Sequence, residues 1–102
     1  MALELRRWKH GLPYDIRGPL AVTIRAFWIC PKSQERKREP RPAMYRAKRP
    51  DADNVAKATL DAGNGVLWLD DDQVVRLTVE KWQAAQGEPP RVEIEVRRIE
   101  EE

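Results

Sequence analysis

The chain has 102 residues, with 19 Lys and Arg against 17 Asp and Glu, so a single domain is expected and a net charge of +2 says little about partners. Charged residues make up 35% and mean hydropathy is −0.73, yet four tryptophans and three alternating apolar stretches argue for a packed fold rather than disorder. The single cysteine, Cys30, excludes an internal disulfide and suits a reducing compartment. No apolar run approaches the ~18 residues of a membrane span and no signal peptide is visible, so a cytoplasmic location is expected.

Residues 1–10 read as a helix, with Leu5 and Trp8 one turn apart opposite Glu4, Arg7 and Lys9, closed by Gly11 and Pro13. Residues 19–29 alternate as a strand. Leu20, Val22, Ile24, Ala26 and Trp28 share one face, Ala21, Thr23, Arg25 and Phe27 the other, and Pro31 ends it.

The sharpest change in composition follows, over residues 32–49. Lys32, Arg36, Lys37, Arg38, Arg41, Arg46, Lys48 and Arg49 stand against only Glu35 and Glu39, and Pro40 and Pro42 break any helix. A long loop in a small domain is either functional or simply solvated. This one leads directly into an acidic cluster, which suits holding a polyanion such as nucleic acid, with salt-sensitive affinity.

Residues 53–63 read as a helix, with Asp53 or Asn54 as N-cap and Gly63 or Gly65 as a left-handed C-terminal cap. Asn64-Gly65 is turn chemistry, followed by the apolar run Val66 to Leu69 and then Asp70, Asp71 and Asp72. Residues 74–82 alternate as a strand with Val75, Leu77 and Val79 inward. Residues 91–99 alternate likewise with Val92, Ile94 and Val96, and the short turn-rich link between the two predicts an antiparallel pair. Glu100 to Glu102 form an acidic tail, and the chain shows no internal repeat. Trp8, Trp28, Trp68 and Trp82 are expected in the core rather than as base-stacking platforms, and His10 is not expected to be a ligand.

The chemistry concentrates between Lys48 and Val75. Asp51 and Asp53 follow Pro50 at i and i+2, and in an extended segment such side chains point the same way, so both carboxylates reach one ion. Hard divalent cations prefer carboxylate oxygen and offset the repulsion in such clusters. Lys57, one turn beyond Asp53, either pairs with an acidic ligand or contacts a phosphate oxygen near the helix N-terminus. Asp70, Asp71 and Asp72 cannot all face one way, so one or two of them join the site. Each feature has an ordinary reading when taken alone: Asp53 as a helix cap, Lys57 as a surface residue, the three aspartates as an acidic turn. An EF-hand loop is excluded, because Val55 stands where a third acidic ligand is required and no glycine follows in place.

The pattern KRPDADN, then a lysine, then LDAGNGVLWLDDDQV resembles the RusA family of Holliday junction resolvases, endodeoxyribonucleases often carried by phages and prophages. The match extends over residues 21–99 and is densest over 50–75. The resemblance implies a mixed α/β (α+β) fold, a small sheet packed with helices, and a homodimer. It also implies Mg²⁺-dependent paired cuts in four-way DNA junctions, with Mn²⁺ as a substitute. By the same resemblance Asp51, Asp53 and Asp71 are the catalytic, metal-binding aspartates, Lys57 is the catalytic lysine, and Asp70 is a weaker metal candidate. The basic residues of 32–49 are then the DNA grip.

The chain departs from the family pattern in three places. An N-terminal strand is expected to be missing or truncated, Asp72 adds a charge, and Gly63 replaces a larger residue. The alternative function is a prophage-derived protein that binds branched DNA with weak or no cleavage; a third is a nuclease acting on flaps.

Overall fold

The computed structural model describes residues 17–99; the helix expected over 1–10, with Trp8 and His10, and the acidic tail from Glu100 lie outside them. The described residues form an α+β arrangement. The elements in order are β1 (Leu20–Trp28), a 3-10 turn (Lys32–Gln34), β2 (Met44–Tyr45), α1 (Ala52–Gly63), a second 3-10 turn (Asp71–Gln73), β3 (Val74–Gln83) and β4 (Arg91–Arg98). The four strands make one mixed sheet in the order β2-β3-β1-β4.

β1 takes the centre because its nine residues carry one charge, Arg25, and bury most of both faces. It pairs in parallel with β3 and antiparallel with β4. The rows Val22–Leu77–Val96 and Ile24–Val79–Ile94 run across all three strands, and all but Leu77, which is 40% exposed rather than inward as expected, form the floor of the core. The expected antiparallel pairing of β3 with β4 is therefore wrong: β1 lies between them. Two polar-faced, alternating strands each gain more from the apolar β1 than from one another. Bridging two strand spacings, about 10 Å, is within reach of residues 84–90, and the Ala84 amide anchors that link to the Trp28 carbonyl at 2.7 Å.

Val75 is also corrected. It is 63% exposed rather than inward. The register jumps from Leu20 opposite Val74 to Ala21 opposite Arg76, so Val75 is the extra residue of a bulge and Val74 takes the packed place.

α1 lies on the core face of the sheet through Val55, Thr59 and Gly63, spaced four apart as one stripe of a helix. It begins one residue earlier than expected, and its N-cap is Asp51, not Asp53 or Asn54. At its end Gly63 keeps helical geometry and Asn64 is the C-cap. The left-handed residue is Gly65 (φ 73°), inside the turn that folds the chain back. That turn is closed by the Gly65 amide to the Trp68 carbonyl (2.7 Å) and the Leu67 amide to the Gly63 carbonyl (2.8 Å). It swings Trp68 under the helix, fully buried, with its indole N–H donating to Asn64 Oδ1 at 2.9 Å.

The opposite face of the sheet is polar and aromatic. Arg25 sits between Glu80 (3.1 Å) and Glu95 (3.7 Å), and Trp82 stacks between Phe27 and Tyr45. Among the described residues no helix is long and apolar enough to cross a membrane.

Gly63 is held as glycine by packing. A Cβ there would meet the six-membered ring of Trp68, at 2.7 Å from Cη2 and 2.8 Å from Cε2. Gly63→Ala should destabilise the fold by about 1–3 kcal/mol in urea unfolding, because the ring has no room to retreat in a packed core; an unchanged midpoint would mean the indole shifts freely.

Candidate metal centre and nucleic-acid interface

Asp51 has extended backbone geometry (φ −68°, ψ 153°), and its carbonyl, not its side chain, closes the first turn of α1, accepting from the Asn54 amide at 3.1 Å and the Val55 amide at 3.2 Å. An aspartate at this position ordinarily caps the helix with its carboxylate. Here that carboxylate makes no capping bond and stays exposed. Asp53 is exposed in the first helical turn, where the helix field favours negative charge. The segment expected to be extended through Asp53 thus turns helical at Ala52, so simple strand alternation does not align these two side chains. Lys57 is exposed one turn further along the helix.

The second acidic group is organised differently. Asp70 is the N-cap of the 3-10 turn: its Oδ1 accepts from the Asp72 amide at 3.0 Å, and Gln73 Oε1 accepts from the Leu69 and Asp70 amides at 2.8 and 3.0 Å. Gln73 also donates to the Gly18 carbonyl at 3.1 Å, tying the turn to the start of β1. A hydrogen bond that Asp71 donates to the Asp70 carboxylate raises the Asp71 carboxyl above the usual aspartate range, reinforced by slight desolvation and by the negative charges of Asp70, Asp61 and Asp72. Asp70 is lowered in turn, first by the Asp72 amide and then by its bond to Asp71. The two carboxyls titrate as a pair around a shared proton. Asp61, near the end of α1, carries no signal in the sequence beyond its charge, and only the fold brings it close to Asp71.

The two acidic groups lie at opposite ends of α1. Asp71 is near Asp61, and from Asp51 to Asp61 α1 rises about 15 Å at ~1.5 Å per residue. The strands give a second measure. Lys81, at the far end of β3, donates to the Lys48 and Pro50 carbonyls at 2.7 and 2.8 Å, beside Asp51, whereas Asp71 precedes the near end at Val74. Those seven strand steps span about 23 Å. Among the described residues, no three His, Cys, Asp or Glu side chains are gathered to hold a metal ion. Asp51 and Asp53 share one end of α1, and Asp70, Asp71 and Asp61 share the other.

The basic segment is more structured than a free loop. Lys32, Arg36, Lys37, Arg38, Lys48 and Arg49 are exposed. Arg41 and Arg46 are half-buried and work internally. Arg41 Nε donates to the Gln34 carbonyl at 2.9 Å, while Arg46 lies 4.9 Å over the Trp28 ring and bonds the Arg49 carbonyl at 3.1 Å. Lys81 was not a candidate from sequence, because within the VVRLTVEKW strand it is one more polar residue; its role in holding the backbone before Asp51 appears only in three dimensions.

The sequence model described as Endodeoxyribonuclease RusA matches residues 1–97. An uncharacterized protein, YqaN, of Bacillus subtilis (strain 168) is 34% identical over 89 residues, covering 82% of this chain and 61% of the relative. The chain thus spans about three fifths of that relative's length. No solved structure matches.

Titration of the aspartate carboxyls by ¹³C NMR should place the Asp71 midpoint above 3.8. In Asp70→Asn it should fall, because the substitution removes a charge and lets an amide donate to the ionised carboxylate. A midpoint unmoved by that substitution would assign the shift to Asp61 and Asp72 instead.

Proposed function

The chain belongs to the RusA family of endodeoxyribonucleases, and from that premise we propose that it is a divalent-metal-dependent endonuclease resolving four-way DNA junctions by paired phosphodiester hydrolysis. The observation that carries this reading is the family match over residues 1–97, which spans Asp51, Asp53, Lys57 and Asp71. The donor chemistry suits a hard cation, since Asp51 and Asp53 offer exposed carboxylate oxygens, the Asp51 carboxylate making no helix-capping bond. Bound there, Mg²⁺ or Mn²⁺ would supply Lewis acidity and an activated water.

The separation along α1 adds a condition. If Asp51, Asp53 and Asp71 hold a common ion, they do so between two copies of the chain, the first two from one protomer and Asp71 from its partner. A symmetric dimer would then carry two such sites, one for each of two symmetric cuts. Lys57, on the same helix as Asp51 and Asp53, offsets negative charge developing on the scissile phosphate. The exposed lysines and arginines of 32–49 hold the backbone on either side, by phosphate contacts rather than base readout.

Cleavage of synthetic four-way junctions in Mg²⁺ tests the reading. Asp51→Asn, Asp53→Asn and Asp71→Asn should each lose at least ~100-fold in rate, with junction Kd within about threefold because binding rests on phosphate contacts. Retained cleavage in all three would sink the assignment. Lys57→Ala should slow cleavage by about 10–100-fold with little change in Kd.

Mixing the two inactive variants Asp51→Asn and Asp71→Asn should restore about one quarter of native cleavage, because half of randomly formed dimers are mixed and each keeps one intact site. No restoration would place all three aspartates within one protomer. A native protein that binds junctions but nicks none, at any Mg²⁺ or Mn²⁺ concentration, would be a branched-DNA-binding protein without chemistry.

A further inference from the structure

The basic stretch Arg36–Arg41 has no regular secondary structure, yet both of its ends are held by one uncharged side chain from a distant part of the chain. Gln86 lies in the link between β3 and β4. Its Oε1 accepts from the Arg36 amide at 2.8 Å and the Arg41 amide at 3.1 Å, and its Nε2 donates to the Arg36 carbonyl at 2.9 Å. Its own amide donates to the Arg41 carbonyl at 2.9 Å. One residue thus closes a six-residue loop at both ends, as a pair of strands would. A second glutamine supports the flank: Gln83 Nε2 donates to Gln34 Oε1 at 3.0 Å, and the Gln34 carbonyl accepts from Arg41 Nε.

We propose that Gln86 is a positioning residue for the DNA-backbone interface: it holds Arg36, Lys37 and Arg38 in one preformed arrangement that fits the phosphates of a nucleic acid strand. This rests on the reading of the basic segment as the DNA grip. Residues 36–40 are exposed, and the side chains of Arg36, Lys37 and Arg38 make no hydrogen bond or ion pair among the described residues. Without the clamp, the backbone ordering that Gln86 supplies in advance falls due on binding, and affinity drops with no change in charge. The effect is separable from a phosphate contact. Removing a contacting cation lowers the slope of log K against log salt by about 0.9 for each phosphate released. Removing a neutral scaffold weakens binding at every salt concentration and leaves the slope alone.

The test uses the full chain, four-way junction DNA and trypsin. Trypsin cuts after Lys and Arg, so Lys37 and Arg38 are sites within the clamped loop itself. In Gln86→Ala, cleavage there should quicken at least ~10-fold, since proteolysis follows local opening. Gln86→Glu keeps the two acceptor bonds and loses the donor, and should fall between Ala and native. Junction Kd for Gln86→Ala should rise about tenfold from low to high salt with an unchanged slope, while Lys37→Ala should flatten the slope by about 0.9.

Native-like trypsin cleavage in Gln86→Ala overturns the proposal, as does faster cleavage with Kd unchanged within twofold, which leaves Gln86 a structural clamp only. A reduced slope in Gln86→Ala overturns it too, because the loss would then be of phosphate contacts. A native chain that binds no junction DNA removes the DNA-grip reading itself; binding by the native chain with an indifferent Gln86→Ala removes this proposal alone.

Discussion

Parallel pairing between β1 and β3 is the constraint on which the rest of the molecule depends. Two parallel strands cannot be joined by a turn; the chain leaves β1 at Trp28 and must travel back to the opposite end before β3 begins at Val74. α1 makes that return journey. The residues opening the helix, Asp51 and Asp53, consequently sit where β1 and β3 finish, and those after it, Asp70 and Asp71, sit where they start. The Lys81 bonds to Lys48 and Pro50 mark one end and the Gln73 bond to Gly18 marks the other. The spacing of the two acidic groups is therefore a property of topology, not of loop conformation.

The fold's local elements follow from periodicity that any reader of the residues can see. The spans of β1, β3, β4 and α1 agree with the alternation of Leu20 to Trp28, Val74 to Trp82 and Val92 to Val96 and with the four-residue spacing of Val55, Thr59 and Gly63. What periodicity does not carry is pairing. An alternating strand records which of its sides is apolar but not which neighbour it meets, so β3 and β4 resemble a hairpin until the greater burial of β1 separates them. Val75 shows the same limit on a smaller scale, since a bulge of one residue reverses a side chain without altering the pattern around it.

For the candidate site, residue type and spacing identified which carboxylates and which lysine to consider, but not their distances. The positions of Asp61, Lys81 and Gln86 lay beyond sequence for a single reason. Each acts on a partner ten to fifty residues away, Asp71 for the first, the Lys48 and Pro50 carbonyls for the second, and the Arg36–Arg41 loop for the third. The basic segment divides in the same way. Sequence treats its eight cations alike, whereas the fold takes Arg41 and Arg46 for internal bonds and leaves the others at the surface.

The strand order has one more outcome. In β2-β3-β1-β4 only β2 and β3 are neighbours both in the sheet and in the sequence, and α1 separates them, so among the described residues the sheet contains no hairpin from which assembly could begin. Among the described residues, the largest set of local contacts available to the unfolded chain is that within α1 and the turn that returns Trp68 to Gly63. For the described residues this topology predicts folding that starts at that compact corner and waits for distant strands to find β1, slow for a domain of this size.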